Sequence, residues 1–166
     1  VMEEIMDKKF GELEHGDEED KREFFRNYNN FFKQMGYDTV SFERGIRNVM
    51  PESGALEGGV EGAIKDREDF ENYPWESIPA RFFEAYADDY RLLGEEMPAG
   101  MKAIGGPGYG LFELVQDMVG YTDLCFISAD DPELYGELFA TVGNMMYQIW
   151  EELLSRYSDI FAVCRF

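Results

Sequence analysis

The stretch from Lys102 to Gly120, KAIGGPGYGLFELVQDMVG, constrains the fold most, because two kinds of periodicity meet there through glycine. The residues from Met101 to Ile104 are largely apolar, which predicts a strand. The Gly-Gly-Pro-Gly sequence at 105–108 predicts the end of that strand and a turn. Apolar residues then recur at helical spacing from Leu111 to Met118. A strand, a glycine-rich loop and a helix therefore follow one another.

The glycine-rich loop has two interpretations. In α/β folds a loop at the carboxyl end of a strand is where ligands bind, which makes Gly106, Pro107 and Tyr109 candidate binding residues. The same pattern is equally typical of a tight connection that binds nothing. No acidic residue at the end of a second strand completes a dinucleotide fingerprint, and no Gly-Lys-Ser or Gly-Lys-Thr follows to make a P-loop.

The rest of the chain alternates helical and strand patterns, which predicts parallel strands joined by right-handed helical crossovers. Two further strands are predicted, at 38–42 and 159–165. Between 48 and 62 lies a long excursion, with short strands expected near 60–65 and Trp75 expected to anchor it. Predicted helices cover residues 1–13, about 18–35, 66–73, 79–96, 121–128 and about 132–157, with Asp17 and Asp130 or Asp131 as caps.

The composition and net charge of the chain argue against several classes of binding partner. The 166 residues can bury a sizeable core, and the net charge of -20 argues against nucleic acid and anionic membrane surfaces as partners. No apolar run is long enough to span a membrane and no signal peptide is visible, so we expect a cytoplasmic protein. We expect Cys125 and Cys164 to be reduced core thiols and His15 to be solvated, and their spacing predicts no metal site.

Several motifs, in order, resemble the uroporphyrinogen decarboxylase superfamily. The Gly-Pro loop is followed by a Phe-Glu helix that ends in Met-Val-Gly, and later Asp-Pro-Glu at 131–133 opens a long helix. Gly-Tyr-Asp-Thr-Val at 36–40 resembles the entry to the family's second strand, and 159–166 resembles its next barrel strand. Tyr-Pro-Trp at 73–75 resembles a segment of the divergent, methyltransferase-like members. The resemblance covers roughly residues 24–166 and rests on order and spacing rather than on one motif.

The resemblance implies a (β/α)8 TIM barrel with its active site at the carboxyl ends of the strands. A closed barrel needs more strands than the three predicted here, so we expect residues 1–166 to be a single incomplete, helix-rich α/β domain. This would be the N-terminal part of such a barrel, inactive on its own. The alternative is that partner chains or swapped copies complete it, as in a homo-oligomer.

The superfamily contains two kinds of enzyme. One branch removes carboxyl groups from uroporphyrinogen without metal or cofactor. Others transfer a methyl group between a corrinoid and a thiol or other acceptor, using zinc held by a His-x-Cys pair and a later cysteine in the C-terminal half. No such motif occurs here, so we expect no cofactor in this segment, while zinc and a corrinoid would belong to the complete protein.

Charge favours the methyltransferase branch. A substrate rich in carboxylates needs cations, the decarboxylase's closely spaced N-terminal arginines are missing, and a net charge of -20 would repel such a substrate. Glycines at 105, 106 and 108 would let a bulky planar cofactor approach the backbone. We therefore expect methyl transfer with a corrinoid protein as partner and a small-molecule substrate. Decarboxylation is the alternative, and a non-catalytic acidic interaction module is a third possibility.

Three charged residues complete the candidate site. The family's acidic catalytic residue follows the second strand, and Glu43 is the nearest match, although it is also a natural salt-bridge partner for Arg44. Arg44 itself would lie at the mouth of the same strand. Arg165, at the end of the last strand, would either bind a carboxylate or phosphate or form a structural ion pair.

Overall fold

The computed structural model describes residues 2–6, 9–58 and 60–165, a helix-rich α/β structure with a small parallel sheet. Its strands are β1 (Thr39–Glu43), β2 (Lys102–Gly106) and β3 (Phe161–Cys164). Its helices are α1 (Met2–Met6), α2 (Gly11–Glu14), α3 (Glu18–Gln34), α4 (Arg67–Asn72), α5 (Ile78–Glu95), α6 (Leu111–Val119), α7 (Tyr121–Asp130) and α8 (Pro132–Tyr157).

The chain divides into two compact units. Unit 1 comprises Val1–Glu43, Tyr86–Gly106 and Leu154–Arg165, and it contains all three strands. Unit 2 comprises Arg44–Ala85 and Pro107–Leu153.

The sheet of unit 1 has the order β1-β2-β3, and both strand pairs are parallel. Phe42 is in register with Gly105, and Gly105 is in register with Cys164. The register between β2 and β3 shifts once, between Ala103 and Ile104. The predicted parallel pairing is therefore confirmed.

Strand β2 continues through the glycines that were predicted to end it. Gly105 has a φ of 155° and Gly106 a φ of 154°, values that side-chain-bearing residues rarely adopt. A Cβ atom at Gly105 would stand only 1.8 Å from the Phe42 carbonyl oxygen. Glycine thus allows β1 and β2 to approach closely, and the turn begins at Pro107 instead.

Aromatic side chains from α3, β1 and α5 form the core of unit 1. The ring of Phe42 lies 5.4 Å from that of Phe25 and 5.6 Å from that of Tyr90, both in edge-on geometry. All three residues are buried. Edge-on aromatic pairs add to the stabilisation from burial alone. Along α3, Phe24 and Phe25 are buried in this core, whereas Tyr28, Phe31 and Phe32 are half-buried and Met35, just after the helix, is exposed.

The excursion in unit 2 is ordered by contacts with α6 rather than by strands. Ile64 N–H donates to the Met118 carbonyl, and a Cβ at Gly62 would stand 2.2 Å from the Val119 carbonyl oxygen. The backbone of this segment packs on a helix end, so the strands expected near 60–65 are not formed and that prediction is wrong. Trp75 Nε1–H donates to the Phe70 carbonyl of α4 at 2.9 Å, and the bond to the excursion comes from its ring neighbour Tyr73, whose hydroxyl donates to the Pro51 carbonyl.

Cap predictions are confirmed, and one boundary is corrected. Asp17 accepts hydrogen bonds from the first turn of α3, and Asp131 accepts one from Leu134 N–H in the first turn of α8. That bond, helped by the Arg67 guanidinium, lowers the pKa of Asp131. The helix expected over 1–13 is instead two short helices, α1 and α2, and residues 1, 7 and 8 lie outside the described residues.

The prediction that both cysteines lie in the core is wrong, whereas the predictions of free thiols and of a solvated histidine are confirmed. Cys125 is exposed because α7 buries Leu124 and Ile127 instead, and Cys164 is half-buried on β3. Both are free thiols. His15 is exposed. None of the described helices combines the length and apolar character needed to cross a membrane.

Gly105→Ala tests the close approach of the strands. We expect it to lower the free energy of unfolding by about 3 kcal/mol or more, because an unfavourable φ adds to a clash with the Phe42 carbonyl. Gly36→Ala is the matched control, since Gly36 also has a positive φ but a Cβ there would meet nothing within 4 Å, so about 1 kcal/mol is expected. Urea unfolding measures both, and equal losses would contradict the account.

Candidate functional site

Glu43 and Arg165 meet at the carboxyl edge of the sheet in unit 1. Glu43 ends β1, Arg165 follows β3, and Arg165 Nε donates to Glu43 Oε1 at 2.6 Å. The Arg165 backbone is held there because its N–H donates to the Gly105 carbonyl at 3.0 Å. Glu43 Cγ lies 3.2 Å from where a Cβ of Gly105 would stand, so the missing side chain gives Glu43 room to reach Arg165 across β2. The ion-pair interpretation of Arg165 is confirmed.

Arg165 retains binding capacity in this arrangement. Its hydrogen bond to Glu43 raises the pKa of the guanidinium, which keeps a full positive charge at the sheet edge. Only Nε takes part in the ion pair among the described residues, and the side chain is 54% exposed. A guanidinium exposed to this extent is accessible to an anionic group, and its planar geometry suits a carboxylate or phosphate.

Tyr90 holds the end of β2 through a hydrogen bond. Its hydroxyl, fully buried, donates to the Gly106 carbonyl at 2.9 Å. The sequence predicts Tyr90 only as part of the apolar face of α5. The tyrosine hydroxyl itself was the signal in the sequence for this contact, because a buried tyrosine hydroxyl needs a hydrogen-bond partner.

The loop residues Pro107 and Tyr109 are held within unit 2 by the segment after Glu43. The Pro107 carbonyl accepts a hydrogen bond from Ile46 N–H at 2.8 Å. Tyr109 has a φ of 60°, rare for a residue with a side chain, and its Cε2 lies 3.0 Å from where a Cβ of Gly45 would stand. Glycine at 45 therefore makes room for this ring. Arg44, the first residue of the segment, is half-buried.

A buried aspartate that the sequence interpretation missed ties the excursion to α6. Asp117 is fully buried, its Oδ1 accepts from Leu56 N–H at 3.0 Å, and its Oδ2 lies 3.3 Å from Arg47 Nε. The same guanidinium donates through Nη1 to Glu57 at 2.6 Å and to the Tyr109 hydroxyl at 3.4 Å. These hydrogen bonds raise the pKa of Arg47, and the one to Glu57 lowers the pKa of that carboxylate.

Arg47 is thus the hub of the ordered excursion. Its ion pair with Asp117 reaches α6, and its hydrogen bond to the Tyr109 hydroxyl reaches the glycine-rich loop. The signal in the sequence was an acidic residue among Leu114, Val115 and Met118, on a helix whose neighbours are apolar. Burying a charge at such a position costs free energy, so the side chain needs a partner of opposite charge or a hydrogen bond that offsets this cost.

The described residues do not form a metal centre, and the cleft of unit 1 lies away from the candidate site. No group of three His, Cys, Asp or Glu side chains within 2–6, 9–58 and 60–165 is arranged to hold a metal ion. A cleft of about 490 Å³ in unit 1 lies at the opposite, amino ends of β2 and β3, lined by Arg91, Lys102, Tyr157 and Asp159 among others. Ligands of α/β sheets bind at the carboxyl ends, so this cleft is not the candidate site.

Comparisons with protein-family models, with curated proteins and with solved structures find no match to this chain in any of the three. The resemblance to the uroporphyrinogen decarboxylase superfamily therefore rests on the quoted motifs alone. What the chain can do must follow from the residues at the sheet edge and in the loops.

Asp117→Ala tests the role of the Arg47 cluster. Removing the buried carboxylate leaves the Arg47 guanidinium partly desolvated and Leu56 N–H without its acceptor, so the free energy of unfolding should fall by about 3 kcal/mol. Glu57→Ala removes an exposed partner of the same arginine and should leave stability nearly unchanged. Denaturant unfolding compares them, and similar effects would mean that Asp117 does not organise the excursion.

Proposed function

We propose that this chain is part of an enzyme of the uroporphyrinogen decarboxylase superfamily that takes part in methyl transfer involving a corrinoid protein. The observation that carries the proposal is the Glu43–Arg165 pair over the bare glycine backbone at the carboxyl edge of a parallel sheet. That edge is where α/β enzymes bind their substrates. A cytoplasmic location, in which Cys125 and Cys164 stay reduced, belongs to the same proposal.

The sheet is compatible with one wall of a TIM barrel. Parallel strands that follow one another in sequence order are the strand order of a (β/α)8 barrel. Strand β3 exposes Val163 to 52%, whereas strands of parallel sheets are ordinarily covered on both faces. In the proposed barrel, further strands and helices cover this side of β3.

The residues at the edge have distinct roles in the proposal. Arg165 binds an anionic group of the small-molecule substrate through its two Nη atoms, and Glu43 orients the guanidinium by holding Nε. The glycine backbone at 105 and 106 leaves space for a flat ring system to approach. The methyl group would come from a corrinoid bound to its own protein. The described residues do not fit zinc, so no step of the proposal runs through that metal in this segment.

The observed charges make decarboxylation the weaker alternative. Desolvating a substrate with many carboxylates requires several cations in the site. The sheet edge in unit 1 offers Arg165, which is already paired with Glu43, and the chain carries 35 acidic residues against 15 basic ones. A single guanidinium suits a substrate with one anionic group better.

The test uses the complete product of the reading frame in which these residues lie. We expect it to demethylate methylcobalamin in the presence of a thiol acceptor, followed by the absorbance change of the corrinoid. Arg165→Gln should raise the KM for an anionic acceptor about tenfold with a smaller change in kcat, because it removes binding rather than chemistry. Arg26→Gln is the matched control, since Arg26 is also ion-paired and 49% exposed but lies on α3.

Other outcomes would overturn the proposal in different ways. Conversion of uroporphyrinogen without demethylation would favour the decarboxylase alternative. Absence of both activities would favour a non-catalytic interaction module. Equal kinetics for the two arginine variants would mean that the enzyme does not use the Glu43–Arg165 edge.

A further inference from the structure

Unit 2 exposes an apolar surface formed by the start of α6 and one side of α8. We define this aromatic face by Leu111 and Phe112 of α6 and by Phe139, Gly143 and Tyr147 of α8. Phe112 is 50% exposed and Tyr147 is 64% exposed, while Leu111 is also exposed. Aromatic side chains held in water over neighbouring elements are typical of interaction sites.

Contacts between its members make the aromatic face continuous. The ring of Phe112 lies 6.1 Å from that of Phe139, and Leu111 Cδ2 lies 3.9 Å from where a Cβ of Gly143 would stand. Residues 139, 143 and 147 are four apart and therefore lie along one side of the helix. The exposed Gly136 and Ala140 border them and keep this side of α8 low, so that another helix can approach closely.

The stretch of chain that forms the aromatic face carries acidic and no basic side chains, and Arg67 reaches α8 through its ion pairs with Asp131 and Glu137. Residues 103–155 contain nine Asp and Glu and no Lys, Arg or His. Glu113, Glu133 and Glu151 are exposed beside the face, and the Tyr147 hydroxyl donates to Glu151 Oε1 at 3.2 Å. A ligand that covers the aromatic rings therefore meets exposed carboxylates at the rim.

We propose that the aromatic face binds a cationic amphipathic helix of a partner protein. The apolar side of that helix covers Phe112, Phe139 and Tyr147, and its Lys or Arg side chains reach Glu113, Glu133 and Glu151. An amphipathic helix laid on an apolar surface is a common mode of peptide recognition, with the charged rim setting specificity and association rate. The inference does not depend on the proposed enzymatic activity.

Charge also argues against a second copy of this chain as the occupant. Face-to-face association of two copies would bring Glu133 and Glu151 of each copy together with no Lys or Arg in residues 103–155 to offset them. Like charges brought together across an interface suppress association. A basic partner gains from the same carboxylates.

The probe is a synthetic amphipathic peptide of about 18 residues built from Leu and Lys, long enough for roughly five helical turns. Isothermal titration with the full chain should give saturable, one-to-one binding that weakens about tenfold between roughly 0.05 and 0.3 M salt. A scrambled peptide of equal composition and a Leu/Glu peptide are the controls. Equally tight binding of the scrambled peptide would overturn the proposal, because simple charge attraction would then explain the result.

Two variants test where the peptide binds. The double variant Phe112→Ser/Tyr147→Ser should weaken binding about tenfold or more, whereas Phe126→Ser should not, although Phe126 is 62% exposed on α7. If the double variant loses its circular dichroism signal, Glu133→Gln/Glu151→Gln replaces it, since it changes the rim without touching the rings. Unchanged affinity in the folded variant would contradict the proposal. So would a dimer in sedimentation that the same substitutions dissociate.

Discussion

The close approach of β1 and β2 at Gly105 is the constraint on which the rest of unit 1 depends. Any side chain there would collide with the Phe42 carbonyl, so only glycine permits this spacing. The same missing side chain lets Glu43 reach Arg165 across β2. The Tyr90 hydroxyl donates a hydrogen bond to the carbonyl of the neighbouring Gly106. Strand pairing and the candidate site therefore share one cause.

Local patterns predicted most of the elements, because periodicity and capping act over a few residues. The long helix α8 with its Asp131 cap and the three parallel strands follow from such signals. Partners distant in sequence could not be predicted in this way. Arg165 and Glu43 are 122 positions apart, and Arg47 meets a buried Asp117 on another element. The segment at 60–65 does not form a strand, and the Ile64 N–H donates instead to the Met118 carbonyl in α6.

Three arginines of this acidic chain join distant segments through ion pairs. Arg22 pairs with Glu95 and Glu96, Arg47 with Asp117 and Glu57, and Arg67 with Asp131 and Glu137. Each has a partner that is distant in sequence. The net charge of -20 favours basic partners and single-anion substrates over polyanions.

The most direct test of the central claim is to detect the hydrogen bonds of the sheet by nuclear magnetic resonance couplings through them. The account predicts couplings from the Ala103 amide to the Ile160 carbonyl and from the Arg165 amide to the Gly105 carbonyl. Both bonds require β3 to lie parallel to β2 with Arg165 at the edge beside Glu43. Couplings from these amides to other carbonyls, or rapid exchange of both amides with solvent, would contradict the sheet and the site built on it.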